Sequence, residues 1–282
     1  MVDIIKIKEK ILEADAIIIG AGAGLSEAAG YHYSGKDFEI EFKSFIEKYG
    51  FTDLYTSSFY PFKTEEEKWA YWAKHIYYSY YKNTRNKLYS NLHELVKNKD
   101  YFVITTNVDG KFVQNDFKRD RIFEVQGRYS SLQCSVPCHN KLYDNKVFVF
   151  ETINKIDDDL KIPSELVPKC PVCGENMNVN LRCDESFVED ELWNESSKNY
   201  NDFLDKYKGK KIVFLEFGVG FNTPGIIRFP FEKEVFMNHN AYLVRFNKDY
   251  PEIPIEIKDR SIGISDDIDE VIDLLKKLGD EK

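Results

Sequence analysis

Three short stretches of the 282-residue chain carry the residue types that chemistry needs. The first is Gly20-Ala21-Gly22-Ala23-Gly24-Leu25-Ser26, which follows the apolar run Ala16-Ile17-Ile18-Ile19. Small residues at a turn from strand to helix let backbone N–H groups approach a pyrophosphate, and the helix N-terminus adds positive potential. The spacing departs from G-x-G-x-x-G because neither register supplies a third glycine, so a tight turn with close helix packing is the competing reading. The second is Thr105-Thr106-Asn107-Val108-Asp109, directly after Tyr101-Phe102-Val103-Ile104. Polar residues at the carboxyl end of a sheet strand stand where open α/β sheets bind ligands. A turn whose Asn and Asp cap the next helix is the alternative. The third is Gln126-Gly127, just past Ile122-Phe123-Glu124-Val125.

The cysteines form a separate group, with three residues between Cys134 and Cys138, two between Cys170 and Cys173, and Cys183 left over. Two short-spaced pairs in an intracellular chain favour zinc over disulfides. Four thiolates would close the tetrahedron and leave no open position, so such a zinc is structural. The wider first spacing and the long gap between pairs keep His139 and Cys183 open as substitute ligands.

The elements that position these groups read as α/β. Residues 15–24 form a buried strand entering the glycine turn, the opening unit of a dinucleotide-binding domain. Residues 31–61 are irregular, with short helices. Thr64-Glu65-Glu66-Glu67 is a capping-box pattern before a helix with Trp69, Trp72, Ile76 and Tyr80 on one face. That aromatic stripe reads as core, with a substrate groove as the sharper alternative. A helix over 91–97 leads to a strand over 101–105, and 122–125 is a third strand. Alternation over 146–150 predicts a small hairpin within the cysteine-rich segment. Strands recur over 211–215 and 241–244, and residues 1–13 and 266–278 read as amphipathic helices. Strands alternating with helices imply a Rossmann-like parallel sheet covered on both faces. The expected division is a dinucleotide-binding domain of 1–30, 91–130 and 184–282, a helical segment of 31–90, and a cysteine, zinc-ribbon-like subdomain of 131–183.

In this order the stretches resemble the sirtuin family. Its G-A-G-x-S matches Gly22, Ala23, Gly24 and Ser26, followed by Gly30; its T-x-N-x-D matches Thr105, Asn107 and Asp109. Its His-Gly pair falls on Gln126-Gly127, its cysteine pairs on Cys134, Cys138, Cys170 and Cys173, and its Leu-Arg-Pro is similar to Leu181-Arg182. The glycine-rich segment with Gly218 and Gly220, and Arg245-Phe246-Asn247, stand where the family contacts the adenosine half of NAD. Asn91-Leu92-His93-Glu94-Leu95 resembles the family's helix before the second strand, which makes His93 structural. The resemblance spans residues 16–278.

Two departures carry the functional expectation. Sirtuin deacylases use the His-Gly histidine as general base, and a carboxamide such as Gln126 has no pKa in the working range. The family's Ile-Pro-Asp-Phe-Arg is replaced by Tyr31-His32-Tyr33-Ser34-Gly35. Both changes resemble the class M branch, found beside macrodomain proteins, whose members act as protein mono-ADP-ribosyltransferases on a lipoylated carrier related to the glycine-cleavage H protein. The resemblance therefore implies NAD as substrate, such a carrier as acceptor, and a macrodomain hydrolase as functional partner. It implies that Gly22, Ala23, Gly24 and Ser26 serve the phosphates and that the nicotinamide lies near Asp109. Gly218, Gly220 and Asn247 then serve the adenosine half. Asn107 and Gln126 would hold the ribose, and Arg182 would orient an acidic acceptor unless an ion pair with Asp184 or Glu185 explains it. Ser26 has no base to make it a nucleophile and reads as a phosphate contact or helix cap. A deacylase using His32 as an unusual base, a sensor that binds NAD or ADP-ribose without turnover, and plain NAD hydrolysis are the alternatives.

Composition excludes other classes. A net charge of -9, from 39 basic and 48 acidic residues without a basic block, argues against nucleic-acid binding. No apolar run approaches the roughly 18 residues of a membrane span. The first residues, alternating Ile with Lys and Glu, lack the pattern of a secretion signal, so a cytoplasmic protein is expected.

Overall fold

A computed structural model describes residues 4–280. It contains nine strands: β1 (Ala16–Ala21), β2 (Asp100–Thr105), β3 (Ile122–Glu124), β4 (Gly127–Cys134), β5 (Tyr143–Asp144), β6 (Met177–Leu181), β7 (Ile212–Phe217), β8 (Tyr242–Phe246) and β9 (Ser261–Ile264). The described residues divide into two compact units. The first takes the chain through Gly30, then Arg85–Gln126, then the chain from Leu192; the second takes Tyr31–Thr84 and Gly127–Glu191. Among the described residues no helix is long and apolar enough to cross a membrane.

The first unit is built on a six-stranded sheet of order β3-β2-β1-β7-β8-β9, with parallel pairing throughout. Every residue of β1 and β7 is buried, as continuous runs of branched and aromatic residues demand when both faces are covered. One face packs Ile18, Phe102, Phe123, Phe214 and Leu243 against Tyr200 and Phe203 of the Glu191–Lys206 helix and Phe231 and Val235 of the Arg228–Met237 helix. The Ile268–Asp280 helix packs against both the Ile4–Glu13 and the Lys87–Val96 helices. The expected helix over residues 1–13 is present from Ile4; residues 1–3 lie outside the described residues.

The second unit joins a helix to a three-stranded antiparallel sheet of order β5-β4-β6. Thr64 caps the Glu65–Ile76 helix by accepting the Glu67 N–H at 3.3 Å. Trp69 and Ile76 are fully buried and Trp72 nearly so, which makes the stripe core rather than a groove. The helix widens into a π-turn at Tyr77–Tyr81, so Tyr80 leaves the stripe. The hairpin expected over 146–150 is absent: Lys146–Thr152 is a helix. Asp144 accepts the Lys146 N–H at 2.9 Å, and Phe148 meets Trp69 edge to face at 5.2 Å. Five alternating residues are too few to hold an extended strand against that aromatic contact.

Candidate functional site

β1 lies between β2 and β7, so successive strands depart from it in opposite directions. A crevice outside the carboxyl ends forms where strand order reverses this way. Ala21 pairs with Thr105 and Phe217, Thr105 with Glu124, and Phe217 with Phe246, which aligns the carboxyl ends of five strands. The segments continuing from those ends carry Gly22–Ser26, Thr105–Asp109, Gln126, Gly218 and Asn247 in turn. Thus the residues singled out in this part of the sequence gather along one edge of the first unit's sheet.

The glycine turn is shaped by backbone meeting backbone. A Cβ on Gly22 would stand 2.6 Å from Gly218 O, and one on Gly24 would stand 2.7 Å from Gly218 Cα. Gly22 N–H bonds to Phe217 O at 2.9 Å and Gly24 N–H to Gly218 O at 3.1 Å. Close packing accounts for both glycines, while Ala23 is exposed at the head of the Ala23–Ala28 helix. Gly22 is that helix's N-cap, so Ser26 lies inside it and is no cap.

Ser26 instead joins a buried polar cluster. Its Oγ donates to Asp109 Oδ2 at 2.5 Å and lies 3.1 Å from Tyr89 Oη. Asn107 Nδ2 donates to Ser26 Oγ at 3.1 Å and to Gly22 O at 2.9 Å, while Thr105 Oγ1 holds the Asn107 N–H at 3.0 Å. Burial pushes the Asp109 carboxyl up from its ordinary range, and the Ser26 hydroxyl and the Lys111 N–H oppose this. Asn247 is equally committed, with Nδ2 on Val219 O at 2.9 Å and Oδ1 accepting the Asp249 and Tyr250 N–H groups. It ties the loop after β7 to the loop after β8. A Cβ on Gly220 would meet open space.

Gln126 is half-buried at the end of the first unit. Gly127 follows with φ +92°, where a Cβ would fall 2.1 Å from Asn180 O, so the Gln-Gly pair needs its glycine. Arg182 lies in the second unit. Its Nη2 bonds Glu189 at 2.6 Å, and its guanidinium stacks 4.3 Å above the Phe187 ring. The ion pair expected with Asp184 or Glu185 is thus made with Glu189. His32 is exposed in the second unit, and His93 packs against Phe117 at 5.0 Å.

Two features escaped the sequence reading. Lys111, directly after Asp109-Gly110, is fully buried, with Nζ 3.3 Å from Gln114 Oε1. Burial lowers its pKa to about 8, partly offset by Asp109. Nothing in the sequence marks that lysine as buried. Glu216 and Arg245 are cross-strand partners, both fully buried and joined through two nitrogens at 2.7 and 3.0 Å, and Glu232 adds a third contact to Arg245. Here a signal existed: one acid and one base, each inside an otherwise apolar strand, need each other. Their pairing fixes the ends of β7 and β8 just before Gly218 and Asn247.

In the second unit the sulfurs of Cys134, Cys138, Cys170 and Cys173 all lie within 4.8 Å of one another. Cys134 and Cys173 are 3.6 Å apart, and Cys138 and Cys170 are 3.7 Å apart. A zinc with bonds of about 2.3 Å to four thiolates requires sulfurs about 3.8 Å apart, so the cluster fits a structural zinc. Cys183 is outside the cluster. His139 Nδ1 stands 3.0 Å from Cys138 Sγ and its Nε2 3.0 Å from Tyr143 Oη, which makes it a neighbour of the four sulfurs.

No protein-family model matches the sequence. Among solved structures, a Sir2Tm complex with a propionylated peptide covers 99% of this chain and 100% of its own at 18% identity, with TM-score 0.62. A Sir2 homolog–NAD complex covers 99% and 94% at 18% identity, with TM-score 0.60. Both likenesses establish the sirtuin fold. A protein from Fusarium oxysporum f. sp. cubense, described as a probable bifunctional ADP-ribose hydrolase/ADP-ribosyltransferase, is 31% identical over 284 residues, 95% of this chain and 47% of that protein. This chain therefore spans about half of the fungal protein. A protein ADP-ribosyltransferase from Staphylococcus aureus is 36% identical over 267 residues, 94% of this chain and 84% of that protein. With the sirtuin fold and that identity over most of both chains, the chain belongs to the sirtuin-type protein ADP-ribosyltransferases, enzymes that draw ADP-ribose from NAD.

Proposed function

We propose that this enzyme transfers ADP-ribose from NAD to a lipoylated carrier protein related to the glycine-cleavage H protein. A macrodomain hydrolase would serve as the partner that reverses the transfer. The observation that carries the reading is Gln126, a half-buried carboxamide just past the end of β3 where deacylases of this fold family need a base. The fungal relative, named for ADP-ribose hydrolase and ADP-ribosyltransferase together, supports the pairing with a hydrolase.

In this reaction the bond from ribose C1′ to nicotinamide breaks, and its electron pair leaves with the neutral nicotinamide. The ribose passes through an oxocarbenium-like state, and an oxygen of an ionised acceptor carboxylate forms the new bond to C1′. An ionised acceptor has no proton to lose, so orientation and charge stabilisation replace a base. Asn107 and Gln126 hold the ribose, with the nicotinamide near Asp109. The turn at Gly22, Ala23 and Gly24 faces the phosphates, and the loops of Gly218, Gly220 and Asn247 face the adenosine half. Arg182 meets an acidic acceptor by exchanging Glu189 for the acceptor's carboxylate while Phe187 keeps the guanidinium in plane. Ser26 serves this site through Asn107 and Asp109 and not as a direct phosphate ligand, since the residue is buried and its hydroxyl is already bonded. Cys134, Cys138, Cys170 and Cys173 would hold a zinc that stiffens the second unit and takes no part in the transfer. Reduced thiols fit a cytoplasmic location.

Intact-protein mass spectrometry tests the reading, with NAD and a lipoylated H-like carrier in one reaction and NAD and an acylated peptide in another. One ADP-ribose added to the carrier, with the peptide untouched, is the expected result. Loss of the acyl group from the peptide would overturn the reading and direct attention to His32. Consumption of NAD without any acceptor would make the enzyme a hydrolase.

A further inference from the structure

β3 is an edge strand of the first unit's sheet, and Gln126 follows its last residue, Glu124, by two positions. The ladder reaches one residue further, with the Val125 N–H on Thr105 O at 3.1 Å. In a parallel pair the carbonyl of that same residue takes the N–H two positions along the partner strand, here that of residue 107. That N–H is committed to Thr105 Oγ1 at 3.0 Å, so the ladder stops and the Val125 carbonyl needs another donor. Trp193 supplies it: its Nε1–H donates to Val125 O at 3.2 Å. Trp193 stands in the first turn of the Glu191–Lys206 helix. Tyr200 and Phe203 of that helix pack on Phe102 at 5.6 Å each, and the Trp193 ring meets Phe123 edge to face at 5.1 Å. Spacings of seven and three keep these rings on one face of the helix. Val125 and Trp193 pack against the same apolar cluster.

Among the described residues of the first unit, none hydrogen-bonds the Gln126 carboxamide, so what this unit contributes to its placement is backbone. We infer that Trp193 is a positioning residue for Gln126: by holding the Val125 carbonyl, its indole N–H fixes the peptide plane from which Gln126 departs and so aims the carboxamide at the ribose. The inference rests on the reading of Gln126 as a ribose contact and adds what holds that residue in place. A carboxamide has no proton to exchange in this reaction and works only through the directions of its N–H groups and its oxygen. Its contribution is therefore lost when the backbone beneath it turns, and a misplacement of about 1 Å costs up to about 100-fold in rate. Helix packing sets where the indole stands, and the contact with Phe123 sets where its N–H points. A phenylalanine at this position keeps a ring against Phe123 but has no donor.

The test compares the full chain as wild type, Trp193→Phe, Gln126→Ala and the double variant, with circular dichroism to verify folding. The first readout needs no acceptor: in protein labelled with isotopic glutamine, nuclear relaxation of the Gln126 backbone amide gives its order parameter. Trp193→Phe is expected to lower it from the rigid range of about 0.85 to about 0.6 or less. The second readout is nicotinamide release from NAD in the presence of the lipoylated H-like carrier. Trp193→Phe is expected to lower kcat by at least about 5-fold while the KM for NAD changes by less than about 3-fold. In the Gln126→Ala background the same substitution should cost less than about 2-fold, because the group it positions is gone. An unchanged order parameter would overturn the inference whatever the rates. A kcat loss that is absent, or equal in both backgrounds, would overturn it too and leave the ribose reading to stand on Gln126→Ala. If Gln126→Ala keeps the wild-type kcat, the ribose reading falls and takes the inference with it. Benzothienylalanine at position 193, which keeps the bicyclic shape and puts sulfur in place of the N–H, serves where the phenylalanine variant fails to fold.

Discussion

Gly24 and Gly218 meet backbone to backbone: a Cβ on Gly218 would stand 2.4 Å from Gly24 Cα, and the Gly24 N–H bonds to Gly218 O at 3.1 Å. Gly218 also has φ +56°, which any side chain strains. Gly218→Ala is therefore expected to cost about 2–4 kcal/mol of stability. It should also raise the KM for NAD, because the glycine turn must retreat from β7 to admit the methyl group. Chemical denaturation and initial-rate kinetics check the pair of effects. A stable variant with wild-type KM would mean the turn has slack that this contact denies.

Asn107 and Gln126 are expected to separate binding from chemistry. Asn107→Ala should abolish turnover while leaving the fold intact, since the backbone N–H of residue 107 keeps its bond to Thr105 Oγ1. Gln126→Ala should lower kcat by about 10-fold or more with a smaller change in NAD affinity. Calorimetric NAD binding beside steady-state rates decides it; equal loss of both would recast Gln126 as a binding residue.

The legible part of this fold was the part written in continuous runs. Ala16-Ile17-Ile18-Ile19 and Ile212-Val213-Phe214-Leu215 carry the burial of both sheet faces in their composition, and Thr64 with its three acids marks a helix start. β9 was not legible, because Ser261-Ile262-Gly263-Ile264 is short and half-covered. Residues 146–150 misled for the opposite reason: their alternation is local, whereas Trp69, which holds Phe148 in a helix, lies far back in the chain. The same limit applies to the site. Gly22, Ser26, Asn107 and Asp109 were each visible as types, but the demand for Gly22 comes from Gly218. The state of the Ser26 hydroxyl depends on three partners from two distant segments, Tyr89 from one and Asn107 and Asp109 from the other.

One zinc per chain is the expected content of protein purified without chelator, measured by atomic emission. Cys138→Ser or Cys173→Ser should lower it and destabilise the second unit. Cys183→Ser should leave it unchanged, since that sulfur is outside the cluster. Titration with a mercurial reagent should release the ion, and loss of zinc should lower the melting temperature before it lowers the rate of nicotinamide release.

His75 predicts acid sensitivity in the second unit. It is fully buried between two hydroxyls, Nδ1 2.9 Å from Tyr71 Oη and Nε2 3.1 Å from Tyr129 Oη. Tyr71 Oη donates to Leu54 O at 3.2 Å and therefore accepts from Nδ1–H, so the neutral ring is satisfied. Burial lowers the His75 pKa to about 3. The unfolded chain thus binds the extra proton first, and stability present above about pH 6.5 falls toward pH 3 by up to about 1.4 kcal/mol per unit. His75→Gln should flatten that slope in denaturation curves taken between pH 7 and 4; an unchanged slope would assign the acid sensitivity to the carboxylates.

Lys111 predicts the reverse edge of the pH range. A lysine is almost never fully buried unless paired, and this one is held near Asp109 and against Gln114. Its folded pKa of about 8 lies below the ordinary lysine value. Between the two values the unfolded chain binds more protons than the folded one, so the penalty of burying the ammonium, fully present below pH 8, is relieved as pH rises toward about 10. Lys111→Met keeps the length of the side chain and removes the charge. It is expected to raise stability at pH 7 by about 1–3 kcal/mol and to abolish the rise between pH 8 and 10. If the variant is instead less stable at pH 7 and keeps the alkaline rise, the ammonium is a net stabiliser of the Asp109 loop and another group titrates in that window.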